Sequence, residues 1–150
     1  MERSGARQMA RFSVEFEVSN LADVHLAEHG YVRPDQIRRV RLRGLVDSVA
    51  SRLVLPKKVV QSLGMKPSGT VTVRYADGRR AVRPTVRDVQ VDLLGRRSVF
   101  DATVEPKRKT ALIGALVLEA LDFLVDPSHE RLVPRDPKRI IAEEEELGRT

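Results

Sequence analysis

The sequence contains no cysteine among its 150 residues. Disulfide bonds, thiolate metal sites and cysteine nucleophiles are therefore excluded, and the composition agrees with a reducing compartment. Stability must come from packing instead. Hydrophobic residues make up 41% of the chain, which suits one core in a domain of this length.

Long apolar stretches are missing as well. The sequence has no run of about 18 apolar residues, the length at which a membrane-spanning helix is suspected. Its first residues lack the basic and then apolar pattern of a secretory signal. We therefore predict a cytoplasmic location and no membrane partner.

Aromatic residues are few, with four Phe, two Tyr and no Trp available for stacking on bases. The formal charge of +6 comes from 27 Lys and Arg against 21 Asp and Glu, and the basic residues are scattered along the chain. No recognised nucleic-acid motif is present. We predict no nucleic-acid partner, and a nucleic-acid-associated β domain is kept as a third alternative that rests on charge alone.

Alternation of apolar and polar residues predicts a mostly β protein. Asp77-Gly78 and Gly95-Arg96 are predicted to be the turns of two hairpins. The predicted strands lie in residues 11–18, 35–46 and 52–55, in a hairpin over 69–86, in a second hairpin over 89–104, and in a final hairpin of 121–125 with 131–133.

Two short helices and two polar ends complete this prediction. One helix has Pro56 at its first position and ends at Gly64. In the apolar run 111–118, Gly114 indicates a close approach of two backbone segments, with a short helix after it. The predicted divisions are a loose basic leader (1–10), the folded domain (11–134) and a charged acidic tail (135–150).

The segment of residues 20–30 contains His25, Glu28 and His29, which have the spacing of the zinc-binding H-x-x-E-H pattern. Such a site needs a true helix and a third ligand, whereas this segment is predicted to be a short connection that closes at Gly30. We therefore predict no metal and no cofactor.

Asp47 follows the apolar residues Leu45 and Val46 at the predicted end of a strand. Because burial makes an ionised carboxylate costly, Asp47 needs hydrogen-bond donors or a second carboxyl with which to share a proton. The alternative is an Asp that only caps backbone N–H groups in the following turn.

Three segments together resemble the retropepsin-like (retroviral-type, clan AA) aspartic proteases, single-domain relatives of pepsin that work as homodimers. Leu45-Val46-Asp47-Ser48-Val49-Ala50 is similar to the family's active-site signature. The Asp-Gly hairpin at 71–86 has the place of the flap, and Ala111-Leu112-Ile113-Gly114 looks like the element behind the catalytic loop. The resemblance covers nearly all of residues 11–134 and is closest to a bacterial-type, single-domain member.

The resemblance implies a closed β-barrel with a flap hairpin and one or two short helices. It also implies a homodimer that cleaves a peptide or protein substrate with a water activated by Asp47 of both copies, without metal or cofactor. The implied site residues are Asp47 as the catalytic residue, Ser48, Val49 and Ala50 in the supporting loop, Tyr75, Ala76, Asp77, Gly78 and Arg79 in the flap, and Leu112, Ile113 and Gly114 behind the site.

Val49 departs from the family pattern, which has glycine at this position. Valine adds a stiff branched side chain where two loops and a peptide are expected to meet. This predicts that proteolysis is reduced or lost. An inactive homologue that binds peptides or a partner protein is therefore the close alternative to an active endopeptidase.

Overall fold

The computed structural model describes residues 11–138. The predicted leader of residues 1–10 and residues 139–150 of the predicted tail lie outside this range. The strands are β1 (Arg11–Asn20), β2 (Arg39–Asp47), β3 (Leu53–Pro56), β4 (Gly69–Arg74), β5 (Arg80–Leu93), β6 (Arg96–Glu105), β7 (Ala111–Ile113), β8 (Phe123–Asp126) and β9 (Arg131–Pro134). The α-helices are α1 (Leu21–Glu28), α2 (Lys57–Ser62) and α3 (Ala115–Ala120), and short 3-10 turns occupy Pro34–Gln36 and Pro127–His129.

Six of the strands close into a barrel. Around it the order is β1, β2, β7, β3, β6 and β5, and β5 pairs back onto β1. The closure depends on the length of β1, which pairs with β2 from Arg11 opposite Asp47 and with β5 as far as Asn20 opposite Val89. The predicted fold class, a mostly β closed barrel with a projecting hairpin and short helices, is confirmed.

The alternation that identified β1 in the sequence also supplies the core. Phe12, Phe16 and Val18 are buried on one face of β1, as a period of two requires. Gly44 of β2 lies against this face, and a Cβ atom there would stand 2.7 Å from the Phe16 ring. The core is therefore packed closely enough that β2 needs a glycine at this point.

The predicted Asp-Gly hairpin is present and is continuous with the barrel. Gly78 has a φ of 89° in the turn, a backbone conformation that suits glycine. The return strand β5 runs from Arg80 to Leu93, so the two predicted hairpins share one strand. Its pairing with β6 shifts between Val86 and Val89. Beyond this irregularity, the outer part of β5 pairs with β4.

Three local predictions need correction. Residues 20–30 contain the helix α1, because the Asn20 side chain accepts a hydrogen bond from the Asp23 N–H and so caps a helix that the sequence pattern did not reveal. Pro56 is the cap of α2 rather than its first residue. The second hairpin turns at Leu94-Gly95, where both residues have positive φ, as a two-residue type I′ turn requires.

The final hairpin forms a separate two-stranded sheet of β8 and β9, as predicted. Arg96, which is 8% exposed, ties it to the barrel. Its guanidinium donates to the carbonyl oxygens of Leu121 (2.9 Å), Asp122 (3.0 Å) and Asp136 (2.9 Å). Asp136 belongs to the predicted tail, so the start of that segment contacts the barrel, and the boundary at 134 stays a prediction.

Stability should fall in acid because folding lowers the pKa values of several carboxyls. Arg131, with help from Ser128 and His129, lowers the pKa of Asp126 to about 2. Arg38 lowers the pKa of Asp23, and Arg135 lowers that of Asp122. A lowered folded-state pKa gives stability that is present above the unfolded-state value, 3.8 for Asp126, and is lost as pH falls through the folded-state value.

We therefore expect the free energy of unfolding, measured in urea, to decrease as pH falls from about 4 to about 2. Asp126→Asn should show a smaller decrease than the wild type, because it lacks one of the carboxylates. If the free energy of unfolding decreased equally in the two proteins, the Asp126 carboxylate would not contribute to the loss of stability in acid.

Candidate active site

The loop of residues 48–52 is held at both ends by the same short strand. β2 ends at Asp47 and pairs in parallel with β7, with Val46 opposite Ile113. β3 begins at Leu53 and pairs antiparallel with β7, again opposite Ile113. Because β7 lies between the two strands, the loop leaves and re-enters the sheet at fixed points.

Gly114 lets the backbone after β7 lie directly against this loop. A Cβ atom at Gly114 would stand 2.6 Å from the Arg52 carbonyl oxygen and 2.6 Å from the Ser51 carbonyl carbon. The first N–H groups of α3 then donate to the loop, from Ala115 to the Ala50 oxygen at 2.8 Å and from Leu116 to the Ser51 oxygen at 3.0 Å. The structure therefore shows the close approach that the sequence predicted at Gly114.

Asp47 is 7% exposed at the end of β2. Its Oδ1 accepts a hydrogen bond from the Val49 N–H at 3.1 Å, and its carbonyl oxygen accepts one from Ala50 at 3.2 Å. Its Oδ2 lies 3.5 Å from a guanidinium nitrogen of Arg11. One carboxyl oxygen thus caps the turn, and the other has a charged neighbour.

Arg11 was not among the residues predicted for the site. The register of β1 against β2 places it directly opposite Asp47. The alternation in β1 predicted the strand but not its register. Arg11 could have been identified only by pairing β1 and β2 from their buried faces.

The two residues after Asp47 are at the surface of the loop. Ser48 is exposed, and Val49 is 60% exposed. The non-glycine residues with positive φ within residues 11–138 are Asp88, Leu94, Asp122 and Glu130. Val49 is not one of them, so the loop accepts valine without backbone strain. Any effect of this side chain must come from what it touches.

The hairpin of β4 and β5 is attached to the barrel through Tyr75. The Tyr75 hydroxyl donates to Glu105 Oε2 at 2.7 Å, and Arg83 Nε donates to the Tyr75 oxygen at 3.0 Å and to Glu105 Oε1 at 2.9 Å. Burial, and then the hydrogen bond to Glu105, raises the pKa of Tyr75. At the tip, the Arg79 guanidinium lies 4.9 Å from the centre of the Tyr75 ring.

A cleft of about 650 Å³ separates the hairpin from the loop. The predicted residues Val49, Ala50, Tyr75 and Leu112 line this cleft together. The other residues that line it are Ser51, Arg52, Val54, Val71, Thr72, Val73, Arg74, Thr103, Glu105 and Arg108.

Some predicted site residues do not line the cleft. Asp47 lies behind the loop surface, and Ile113 is fully buried in the core. In the hairpin, all of residues 71–75 line the cleft, with Val71, Val73 and Tyr75 half-buried and Thr72 and Arg74 exposed, and the tip residues 76–79 do not line it. That alternation was visible in the sequence. The presence of Arg52, Arg74, Glu105 and Arg108 at the cleft could not be predicted from the sequence, since isolated charges carry no pattern.

Residues 11–138 contain no group of three or more His, Asp or Glu side chains placed to hold a metal ion. His25, Glu28 and His29 therefore do not form such a group. Within the same residues, no helix has the length and apolar character needed to cross a membrane.

No protein-family model matches this sequence, and no curated protein matches it. Among solved structures, the chain is similar to the simian foamy virus (mac) protease in solution, with 13% identity over 71% of this chain and 91% of that one and a TM-score of 0.46. It is also similar to a foamy viral protease-reverse transcriptase in complex with an RNA/DNA hybrid, with 17% identity and a TM-score of 0.44. That match covers 52% of this chain, which spans about a tenth of the viral chain, 10%.

The contact at Gly114 can be tested by adding one methyl group. Gly114→Ala should lower the free energy of unfolding by about 1–3 kcal/mol, because backbone atoms block the new Cβ and cannot move aside as a side chain can. Gly69→Ala is the control, since its Cβ would meet only the Thr85 hydroxyl oxygen at 3.3 Å. Urea denaturation measures both, and equal stability of Gly114→Ala and wild type would refute the close contact.

Proposed function

We propose that the protein is an aspartic endopeptidase whose active site forms when two copies of the chain bring their Asp47 side chains together. The observation that carries this proposal is the setting of Asp47: a buried carboxyl at the end of β2, directly before a loop that lines a cleft whose opposite wall is a projecting hairpin. One chain supplies one such Asp. A twofold axis that passes near the loop supplies the second.

Two carboxyls at hydrogen-bond distance cannot both ionise, so they share a proton. The ionised carboxyl takes a proton from a water molecule, and the other donates a hydrogen bond to the carbonyl oxygen of the peptide bond. The water oxygen bonds to the carbonyl carbon as the C=O π bond opens, and the carbonyl oxygen takes the proton of the second carboxyl. The nitrogen then takes the proton that the first carboxyl removed from water, the C–N bond breaks, and the amine leaves. One hydroxyl of the tetrahedral intermediate returns its proton to the second carboxyl as the new carboxylic acid forms, which restores the shared proton.

The ion pair with Arg11 is compatible with this arrangement. The Arg11 side chain is 56% exposed, whereas that of Asp47 is 11% exposed. The long Arg11 side chain can turn toward solvent when a second carboxyl approaches Oδ2 of Asp47. Oδ1 keeps its hydrogen bond from the Val49 N–H, which fixes the orientation of the carboxyl group.

The hairpin supports binding of an extended peptide. Within the described residues, β4 is the outer strand of the seven-stranded sheet. Its free edge offers backbone N–H and carbonyl groups to a peptide that adds as a further strand. Val71, Val73 and Tyr75 line the cleft below it and give alternate side chains of that peptide an apolar surface.

Val49 favours a second candidate function, an inactive homologue that binds peptides or a partner protein. The side chain is 60% exposed and lines the cleft. In a twofold dimer, two such valines would crowd the loops or the peptide beside the carboxyls. Because the loop is unstrained, valine at this position leaves the fold and the cleft intact, and its effect falls on catalysis, which is reduced.

Peptide cleavage across acid to neutral pH tests the proposal. Asp47→Asn should abolish cleavage, because asparagine can neither accept nor share the proton. The exposed Asp101→Asn is the matched control and should cleave like the wild type. Cleavage that survives in Asp47→Asn excludes the mechanism. Peptide binding without turnover by wild type and by Val49→Gly would select the inactive homologue.

Val49→Gly should raise kcat/KM by about tenfold or more, which corresponds to about 1.4 kcal/mol of relieved crowding in the transition state. The measurement is steady-state cleavage of one peptide by wild type and variant, with urea denaturation as a check on folding. Comparable rates for two equally stable proteins would show that Val49 does not limit catalysis.

A shared site also predicts the outcome of mixing subunits. Adding Asp47→Asn in excess to a fixed amount of wild type should suppress cleavage, since each mixed dimer holds a single Asp47. Asp101→Asn added in the same excess should not suppress it. If light scattering shows dimers and the cleavage rate still depends only on the concentration of wild-type chains, each chain acts independently.

A further inference from the structure

The cleft beside the candidate catalytic loop carries an excess of positive charge. Arg52 approaches it from the loop, Arg74 from the hairpin and Arg108 from the segment after β6. Glu105 is the acidic residue among those that line the cleft. Three cationic side chains from three separate chain segments therefore surround a space that contains one carboxylate.

Glu105 does not neutralise these three arginines. Its Oε1 accepts a hydrogen bond from Arg83 at 2.9 Å, and its Oε2 accepts one from the Tyr75 hydroxyl at 2.7 Å. Arg83 is not among the residues that line the cleft. Both carboxylate oxygens are thus engaged by an arginine and a tyrosine, which leaves the charges of Arg52, Arg74 and Arg108 without a carboxylate in the cleft.

Arg52 has the strongest need for an acceptor. Its Nε is buried and has no hydrogen-bond partner within residues 11–138. A buried donor without a partner is costly, whereas a guanidinium that meets a carboxylate forms short, charge-assisted hydrogen bonds, often two at once. Arg74 likewise has no ion pair within the described residues, and Arg108 Nε donates to the backbone oxygen of Thr110 at 3.0 Å.

The position of Arg52 connects this charge to the candidate catalytic loop. Arg52 is the last residue of the loop 48–52, and its backbone lies in close contact with Gly114. A peptide seated against this loop would place its side chains next to the Arg52 guanidinium. The half-buried side chains of Val71 and Val73 are part of the opposite wall.

We infer that the cleft selects extended peptides that carry a glutamate or aspartate side chain at the position next to Arg52, and that Arg52, assisted by Arg74, determines this specificity. The inference rests on the proposed function, since it takes an extended peptide as the occupant. It adds the chemical class of the substrate. It does not require the bound peptide to be cleaved.

Binding to the Asp47→Asn variant separates specificity from catalysis. A fluorescent peptide series, in which one glutamate is moved along a neutral sequence and compared with glutamine at each position, is titrated by anisotropy. We expect one position at which glutamate binds about tenfold more tightly than glutamine, a difference of about 1.4 kcal/mol. Affinities that are equal for glutamate and glutamine at every position would overturn the inference.

Variants then locate the preference. Arg52→Gln and Arg74→Gln, each in the Asp47→Asn background, should reduce the preference for glutamate, and Arg52→Lys should retain part of it. The control is Arg97→Gln, which removes an exposed arginine that pairs with Asp92 away from the cleft and should leave the preference unchanged. Since Arg74 is exposed, its variant keeps the test valid even if Arg52→Gln folds poorly. A preference that persists in folded forms of both variants contradicts the assignment.

A non-selective attraction to anions is a further outcome to be distinguished. A short oligonucleotide and a neutral peptide are used as competitors. Displacement of the glutamate peptide by the oligonucleotide at equal affinity would overturn the inference in favour of general polyanion binding. If the wild type cleaves no peptide but still prefers glutamate in the binding assay, the proposed protease function is refuted and the specificity for acidic peptides is supported.

Discussion

The structure depends on the insertion of β7 between β2 and β3. This strand is only three residues long, yet it pairs in parallel with the strand that ends at Asp47 and antiparallel with the strand that follows the loop. Without β7 the barrel would have a gap between β2 and β3, and both ends of the loop would be free. Gly114 extends this constraint, because its missing side chain allows the N–H groups of α3 to reach the loop carbonyls. The barrel and the candidate active site are therefore stabilised by the same contacts.

The sequence left two interpretations of Asp47 open, and the structure shows the capping one. Its Oδ1 accepts a hydrogen bond from the Val49 N–H, as a capping Asp should, while its Oδ2 lies beside an exposed arginine. The proposed catalytic role is compatible with capping, since capping uses one oxygen and orients the other. A carboxyl that is held by its own turn loses little conformational entropy when it meets a second carboxyl.

The elements that local pattern determines could be predicted from the sequence. The alternation of β1, the Asp-Gly turn and Gly114 each have a physical signature within a few residues. Features that depend on register or on distant contacts could not be predicted in this way. Arg11 faces Asp47 only because β1 and β2 pair at one particular offset, and the cleft arginines come together from three segments far apart in the chain. The helix α1 was missed because its cap, Asn20, also belongs to a strand.

The continuity of β5 has a mechanical consequence. Residues 80–85 of β5 pair with β4 and form one arm of the hairpin, while the rest of the same strand pairs with β1 and β6 in the barrel. Where these two parts of β5 meet, between Val86 and Val89, the pairing with β6 is irregular and Asp88 has a φ of 61°. A displacement of the hairpin from the barrel would therefore bend β5 at this point and would break the hydrogen bonds of Tyr75 and Arg83 to Glu105.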